Sequence, residues 1–255
     1  MTSAASHRPR LSGNKHVTQY LPPIEAVGPP PWSEPYRPPH TLIRWLTGLF
    51  LVGVFLTAIL VLMSIAEALL YRDRTTENGI DNNALALGIN ACTVLLSVGV
   101  YIATTVLFCL WVYRANWNAR ALGADHMQFT PGWCIGWFFI PFMNLFKPFQ
   151  AVREIYKASD PRSDGTMWRD VPTSALLGLW WFFWILTNVV GQIQMKTASS
   201  KDPDLLVMAI WMGVLSNVIN ITAALLALAV VRSIHARQEE KAQILAEAAV
   251  DEGVA

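Results

Sequence analysis

Charge is what this chain has least of. Of its 255 residues only 15% are Asp, Glu, Lys or Arg, against 53% hydrophobic, where a soluble domain carries about 25% charged residues. Mean hydropathy is +0.36, which excludes a disordered protein, a collagen-like fibre and an ordinary soluble enzyme. The net charge of +1 leaves no excess to hold nucleic acid. Three cysteines, Cys92, Cys109 and Cys134, are too few and too widely spaced for a disulfide framework or a thiolate metal centre. The sequence also lacks His-Glu-x-x-His, Gly-x-Ser-x-Gly and a phosphate loop. Its histidines, His7, His16, His40, His126 and His235, fall outside the long apolar runs, so a bis-His haem between spans is excluded. No enzyme activity, cofactor or metal is expected.

What is present is length of apolar run. Hydrocarbon about 30 Å thick needs roughly 20 apolar helical residues to cross it. Four stretches qualify: Trp45 to Ala66, Ala84 to Tyr113, Val171 to Met195 and Leu205 to Val231. The second would make a helix of about 45 Å, which must tilt or project. Pro172 suits the first turn of the third. With their flanks, the spans are expected at about 43–70, 84–113, 172–195 and 205–231.

Met127 to Phe146 is also uncharged, yet Pro131 and Pro141 fall inside it and Pro148 just beyond. Proline removes an amide donor and clashes with the preceding turn, so no unbroken spanning helix fits. Charge bias agrees. With four spans, 15 Lys and Arg lie on one side and 4 on the other; a fifth span would make the split 9 against 10. Only the first pattern obeys the positive-inside rule. Both termini and the 127–146 segment are therefore expected in the cytoplasm.

Residues 1–41 carry no signal-peptide pattern. Eight of the 18 residues from Pro22 to Pro39 are proline, which predicts a disordered or polyproline tail. It is either a solvated spacer or, through Pro29-Pro30-Pro31-Trp32, a ligand for an aromatic groove on a partner. After Pro148 a short amphipathic helix is expected. Phe149, Val152, Ile155 and Tyr156 share one face; Lys147, Gln150, Arg153, Glu154 and Lys157 share the other. Such a helix either lies among anionic headgroups or packs beneath the bundle. Beyond Val231 good helix formers carry the last helix into water through Arg232 to Ala248, within a C-terminal helix and tail of 232–255.

One stretch has a recognisable pattern. It runs Trp111-x-x-Arg114-Ala115-x-x-Asn118-Ala119-x-x-Leu122-Gly123, then Pro131-Gly132-Trp133-x-x-Gly136-Trp137-Phe138-Phe139-Ile140-Pro141, Asn144-Leu145, Pro148 and Glu154. This resembles the bacterial membrane family known as domain of unknown function 4328. The resemblance implies a four-span bundle over roughly 45–235 with a motif-rich cytoplasmic connection. It implies no activity.

Trp111, Arg114, Asn118 and Leu122 fall on one helical stripe. One reading has Arg114 and Asn118 organise the broken segment, with Glu154 as a partner for Arg114. The other has Arg114 as a snorkelling anchor at the helix end. Within the spans, the polar candidates are Glu67, Asn90, Asn188, Gln192, Asn217 and Asn220. Depth counting lets Glu67, Asn90, Asn188 and Gln192 converge in the outer half, either as a ligand site or as interhelical hydrogen bonds worth about 0.6 kcal/mol each. The run Trp180, Trp181, Phe182, Phe183 and Trp184 either packs or lines an apolar groove.

The expected fold is an all-α integral membrane protein. It is a four-helix transmembrane bundle over 42–231, with both termini cytoplasmic and a non-spanning Pro/Gly/Trp-rich segment at about 127–160 between spans two and three. The expected function is a non-enzymatic interaction or regulatory component of the bacterial plasma membrane. Its partners are the bilayer, anionic lipid at the cytoplasmic face and a protein at the tail or the 127–160 segment. The alternative is a small-solute or lipid transporter subunit acting as an oligomer.

Overall fold

A computed structural model describes residues 35–71, 83–199 and 203–251. The chain divides into two units, Met1–Ser33 and Glu34–Ala255, and the described residues belong to the second. They form six α-helices and no strand: α1 (His40–Tyr71), α2 (Asn83–Ala121), α3 (Pro131–Gly136), α4 (Lys147–Ala158), α5 (Ala175–Ala198) and α6 (Pro203–Asp251). Short 3-10 turns occupy Met143–Leu145 and Met167–Asp170.

Four helices are long and apolar enough to cross a membrane, within His40–Ala66, Gly88–Ala121, Ala175–Thr197 and Met208–Asp251. Their lengths follow from runs of Leu, Val, Ala and Ile unbroken by proline. The third starts later than Pro172 suggests. Ser174 is its cap, its side chain accepting from the Leu176 N–H at 3.2 Å, and a serine that satisfies an orphan amide defines a helix start better than a nearby proline. The last helix does open on proline, at Pro203.

Around the bundle α5 packs on α6, α6 on α1, and α1 on α2. Phe108 of α2 meets Trp180 of α5 with ring centroids 6.1 Å apart. Beyond that contact α2 and α5 leave the ring open: Tyr101 is 67% exposed and Asn188 is exposed. The segment from Met127 to Phe146 contains no spanning helix, only α3 and one 3-10 turn. The main apolar core lies at the end of the bundle that carries this connection, not at mid-span. Leu46, Trp111, Val112, Ala115, Leu177, Val230, Val231 and Ile234 meet Val152 and Ile155 of α4 there. The apolar face of α4 is therefore turned into the bundle.

The proline-rich tail lies largely outside the described residues, but its last residues are held. Asn118 donates its Nδ2 to the Arg37 carbonyl at 3.1 Å and accepts the Arg37 N–H at 3.5 Å. That pairing fixes the approach to α1 one turn before the helix begins.

The exit from α2 is a Schellman turn. The Gly123 N–H donates to the Arg120 carbonyl at 3.0 Å and the Ala124 N–H to the Ala119 carbonyl at 3.1 Å, with Gly123 at φ +87°. This is the conformation that favours glycine after a helix. Gly123→Ala should lower stability by about 1–2 kcal/mol, and Gly123→Asn by less, because Asn tolerates the left-handed region. Thermal unfolding of the purified protein in detergent checks both; equal stability of wild type and Gly123→Ala would contradict the assignment.

Candidate functional site

Residues 124–146 make no continuous helix, so the amides and carbonyls outside α3 need side-chain partners. α2 and α4 supply them. Asn116 donates Nδ2 to the Phe129 carbonyl at 3.0 Å and to Cys134 Sγ at 3.2 Å. Arg120 donates Nε to Asn116 Oδ1 at 3.1 Å, and Nη2 to the carbonyls of Phe129 at 3.0 Å and Met127 at 3.3 Å. From the other side the Gln128 and Phe129 amides donate to the two oxygens of Glu154, at 2.6 and 3.0 Å. Phe129 is thus gripped at both its N–H and its C=O.

The electrostatics suit a lock. Asn116 and Glu154 are buried. Burial raises the Glu154 carboxyl above its ordinary value, against the Gln128 and Phe129 amides and the charges of Arg120 and Arg169. Burial also pushes the Cys134 thiol up to about 12, so it stays neutral at physiological pH and is a poor nucleophile.

The extension of α6 closes the same unit. Gln238 donates Nε2 to the Ala115 carbonyl at 2.8 Å and to Ser159 Oγ at 3.0 Å. Lys241 reaches the Ala158 carbonyl at 3.3 Å and Ser163 Oγ at 3.4 Å. Arg237 pairs with Asp160 at 2.8 Å and covers the Tyr156 ring at 3.9 Å. Lys241 thereby satisfies a carbonyl at the C-terminus of α4 and adds positive charge where the helix dipole favours it.

Further along, the connection presents aromatic groups. Thr130 caps α3, accepting the Trp133 N–H at 3.4 Å, with Pro131 in the first turn. Trp133 and Trp137 lie with ring centroids 4.9 Å apart, and Lys147 sits 5.8 Å from the Trp137 ring. Trp181 donates Nε1 to the Leu145 carbonyl at 3.1 Å. The connection therefore reaches about 9 Å along α5, six residues past its start. Pro131 and Pro148 are buried, whereas Gly132, Trp133, Pro141, Phe139, Phe142 and Phe146 are exposed.

Beneath this cover, α1, α2, α5 and α6 line a half-open cavity of about 590 Å³, with Phe138, Phe139 and Asn144 at one end. On α2 its lining runs from Val94 to Cys109, about 22 Å of helix. The walls are mostly apolar. Ser97 Oγ and Asn144 Oδ1 are buried and make no hydrogen bond. Asn188, Asn217 and Asn220 also line it.

The sequence candidates divide accordingly. Trp111, Asn118 and Glu154 are buried parts of the connection end, but Glu154 is no partner of Arg114. Its oxygens are taken by two amides, and the nearby cations are Arg120 and Arg169. The organising residues are Asn116 and Arg120, an i, i+4 pair on a different face of α2, while Asn118 serves the approach to α1. The polar cluster shifts as well. Asn188, Asn217 and Asn220 share the cavity, whereas Gln192 is exposed on α5 and Asn90 is half-buried on α2, and neither lines it. The Glu67 side chain lies outside what is described. Trp180 packs in the core, Trp181 holds Leu145 and Trp184 lines the cavity. His40, far in sequence from the i, i+4 pair His235 and Glu239, meets them at the junction of α1 and α6.

The model of one family, described as Domain of unknown function (DUF4328), matches residues 74–236. The chain belongs to that family. Comparison with curated proteins and with solved structures gives no match. The matched region begins before α2 and ends within α6, so it includes Asn116, Arg120, Phe129 and Glu154 but stops short of Arg237, Gln238 and Lys241.

Glu154→Gln turns an amide donor toward an amide donor and should cost about 1–3 kcal/mol. Arg120→Lys removes the fork that reaches Asn116 and two carbonyls. Because both residues hold Phe129, their losses should be non-additive in a double-mutant cycle, by 0.5 kcal/mol or more. Thermal unfolding measures this, and strict additivity would mean the two residues act separately.

Proposed function

We propose that the protein is a non-enzymatic interaction component of the bacterial plasma membrane, with both termini and the connection in the cytoplasm. One observation carries this reading: α6 continues past the bundle, is locked to α2 and α4 through Gln238 and Lys241, and then leaves with Ile244, Leu245 and Val250 exposed. A helix held rigidly at its base and apolar at its tip suits a docking surface for a partner helix. The ionisable groups nearby support the absence of catalysis, since Glu154, Lys241, Arg237 and Asp160 are spent on hydrogen bonds within the unit. The fifteen-to-four distribution of Lys and Arg supports the orientation. The exposed Phe139, Phe142 and Phe146, followed in the chain by Lys147 and Arg153, suit contact with an anionic headgroup layer.

A photo-crosslinking side chain placed at Leu245 in intact cells should give one protein adduct of defined mass. A second apolar change at the tip, Ile244→Asp, should abolish it. The same probe at Ile102, on the lipid-facing side of α2, should give no such adduct. A Leu245 probe that captures nothing, or an adduct indifferent to Ile244→Asp, would overturn the docking role.

The cavity favours a second reading, a transporter subunit, because its amides and apolar walls lie within the spans. Proteoliposomes should then pass a small solute or lipid at a rate cut at least tenfold by Asn220→Leu. No flux of ions, amphiphiles or lipid would remove this reading.

A further inference from the structure

α1 opens on His40, and α6 carries His235 and Glu239 one turn apart, so the three meet where the helices cross. His40 Nδ1 lies 3.3 Å from Glu239 Oε1, and His235 Nε2 lies 3.3 Å from the same oxygen. All three donor atoms are within 4.8 Å of one another. The imidazoles stand edge to face with centroids 5.3 Å apart. Two nitrogens from different helices thus converge on one carboxylate oxygen.

Those distances suit a shared ion better than a direct hydrogen bond. A charge-assisted N–H···O bond is about 2.7–2.9 Å long, so 3.3 Å is loose for a hydrogen bond. Two ligands each about 2.1 Å from a tetrahedral zinc ion lie roughly 3.4 Å apart. Both His–Glu separations match that edge. Burial is graded too: the His235 side chain is 14% exposed, Glu239 35% and His40 59%. This gives an anchored wall with an open mouth.

The surroundings add a second observation. The Tyr36 hydroxyl and His235 Nδ1 are both buried without a hydrogen-bond partner. The Tyr36 phenol lies within electrostatic reach of Glu239 and brings an O–H donor to the surroundings of that carboxylate. A carboxylate bound to a metal through one oxygen leaves its other oxygen to accept such a donor, the outer arrangement common to metal sites.

We propose that His40, His235 and Glu239 form a binding site for one divalent transition-metal ion of the zinc class, with a fourth position open to water. Two imidazoles and one carboxylate are a donor set suited to zinc and its neighbours and poorly suited to magnesium, which requires oxygen ligands. The ion ties the first residue of α1, immediately after the proline-rich stretch, to the base of the α6 extension. Metal occupancy therefore sets how firmly these two elements are held. The site is independent of the docking role proposed above.

The test uses full-length protein without a polyhistidine tag, in lipid nanodiscs, stripped with EDTA. Zn²⁺ is titrated in competition with a chromophoric chelator, in the presence of excess Mg²⁺. One Zn²⁺ per chain is expected, undisturbed by Mg²⁺. His40→Ala and Glu239→Gln should each weaken it by more than the ~10–100-fold that loss of an outer partner costs, and His126→Ala should leave it unchanged. Co²⁺ provides a readout on the wild type that does not depend on variants folding: its ligand-field absorption should indicate a four-coordinate site and be displaced by Zn²⁺. No tight Zn²⁺, a Co²⁺ spectrum of the hydrated ion, or binding retained in both His40→Ala and Glu239→Gln would overturn the proposal.

Discussion

The end of the bundle that carries the connection depends on one requirement: the peptide groups of a proline-broken segment must be satisfied where regular helix cannot do it. A buried amide or carbonyl without a partner costs about 1–3 kcal/mol, and prolines at 131, 141 and 148 deny residues 124–146 one continuous helical ladder. The chain meets this cost at Phe129. Its N–H is taken by Glu154 of α4, its C=O by Asn116 and Arg120 of α2. Both helices are thereby fixed relative to one residue of the connection. Asn116 also reaches Cys134, which carries the constraint into α3.

From that grip the remaining contacts follow in order. With α4 held, Ser159 and the Ala158 carbonyl become fixed targets, and Gln238 and Lys241 of α6 find them. Gln238 also reaches the Ala115 carbonyl, so α2, α4 and α6 share one buried side chain. Apolar packing then fills the space between, with Trp111, Val112, Ile155, Val231 and Ile234 in a single cluster. Such a core is required where water is near. Along the spans there is no comparable hydrophobic drive, because lipid is as apolar as the side chains. The four helices accordingly leave a cavity between them at mid-span while closing tightly at one end.

Much of this was legible in the sequence, and the boundary is physical. Span number follows from run length and proline position, and the broken character of 127–146 from Pro131, Pro141 and Gly132. The amphipathic α4 was readable from Val152, Ile155 and Tyr156, although Glu154, assigned to its polar face, is buried. A helical stripe tells which residues share a face but not which face meets the connection, so the stripe through Arg114 and Asn118 does not point to Asn116 and Arg120, which hold it. The i, i+4 spacing of Asn116 and Arg120 was the available signal. His40 and Glu239 are 199 positions apart in the numbering, and no periodicity joins them. Their meeting depends on α6 continuing as one helix beyond the bundle and on Asn118 holding Arg37.

The tight end and the open middle are mechanically connected. Phe138 packs on Phe108 with ring centroids 6.0 Å apart, and Phe108, Phe138 and Asn144 all border the cavity. The connection that Phe129 secures is therefore also the cover of the cavity. Loss of the grip at Phe129 would free α3 and the following turn, and with them the aromatic groups that close that end. Trp181 opposes this by holding the Leu145 carbonyl. In the other direction, a molecule that separated Phe108 from Trp180 would press on the core beside Trp111, where α1, α2 and α6 converge. At the base of the α6 extension, Gln238 and Ile234 belong to the same core, so under the docking role proposed above a partner at the tip would pull on it. One buried cluster thus borders both the cavity end and the base of the outer helix, so no hinge separates the two.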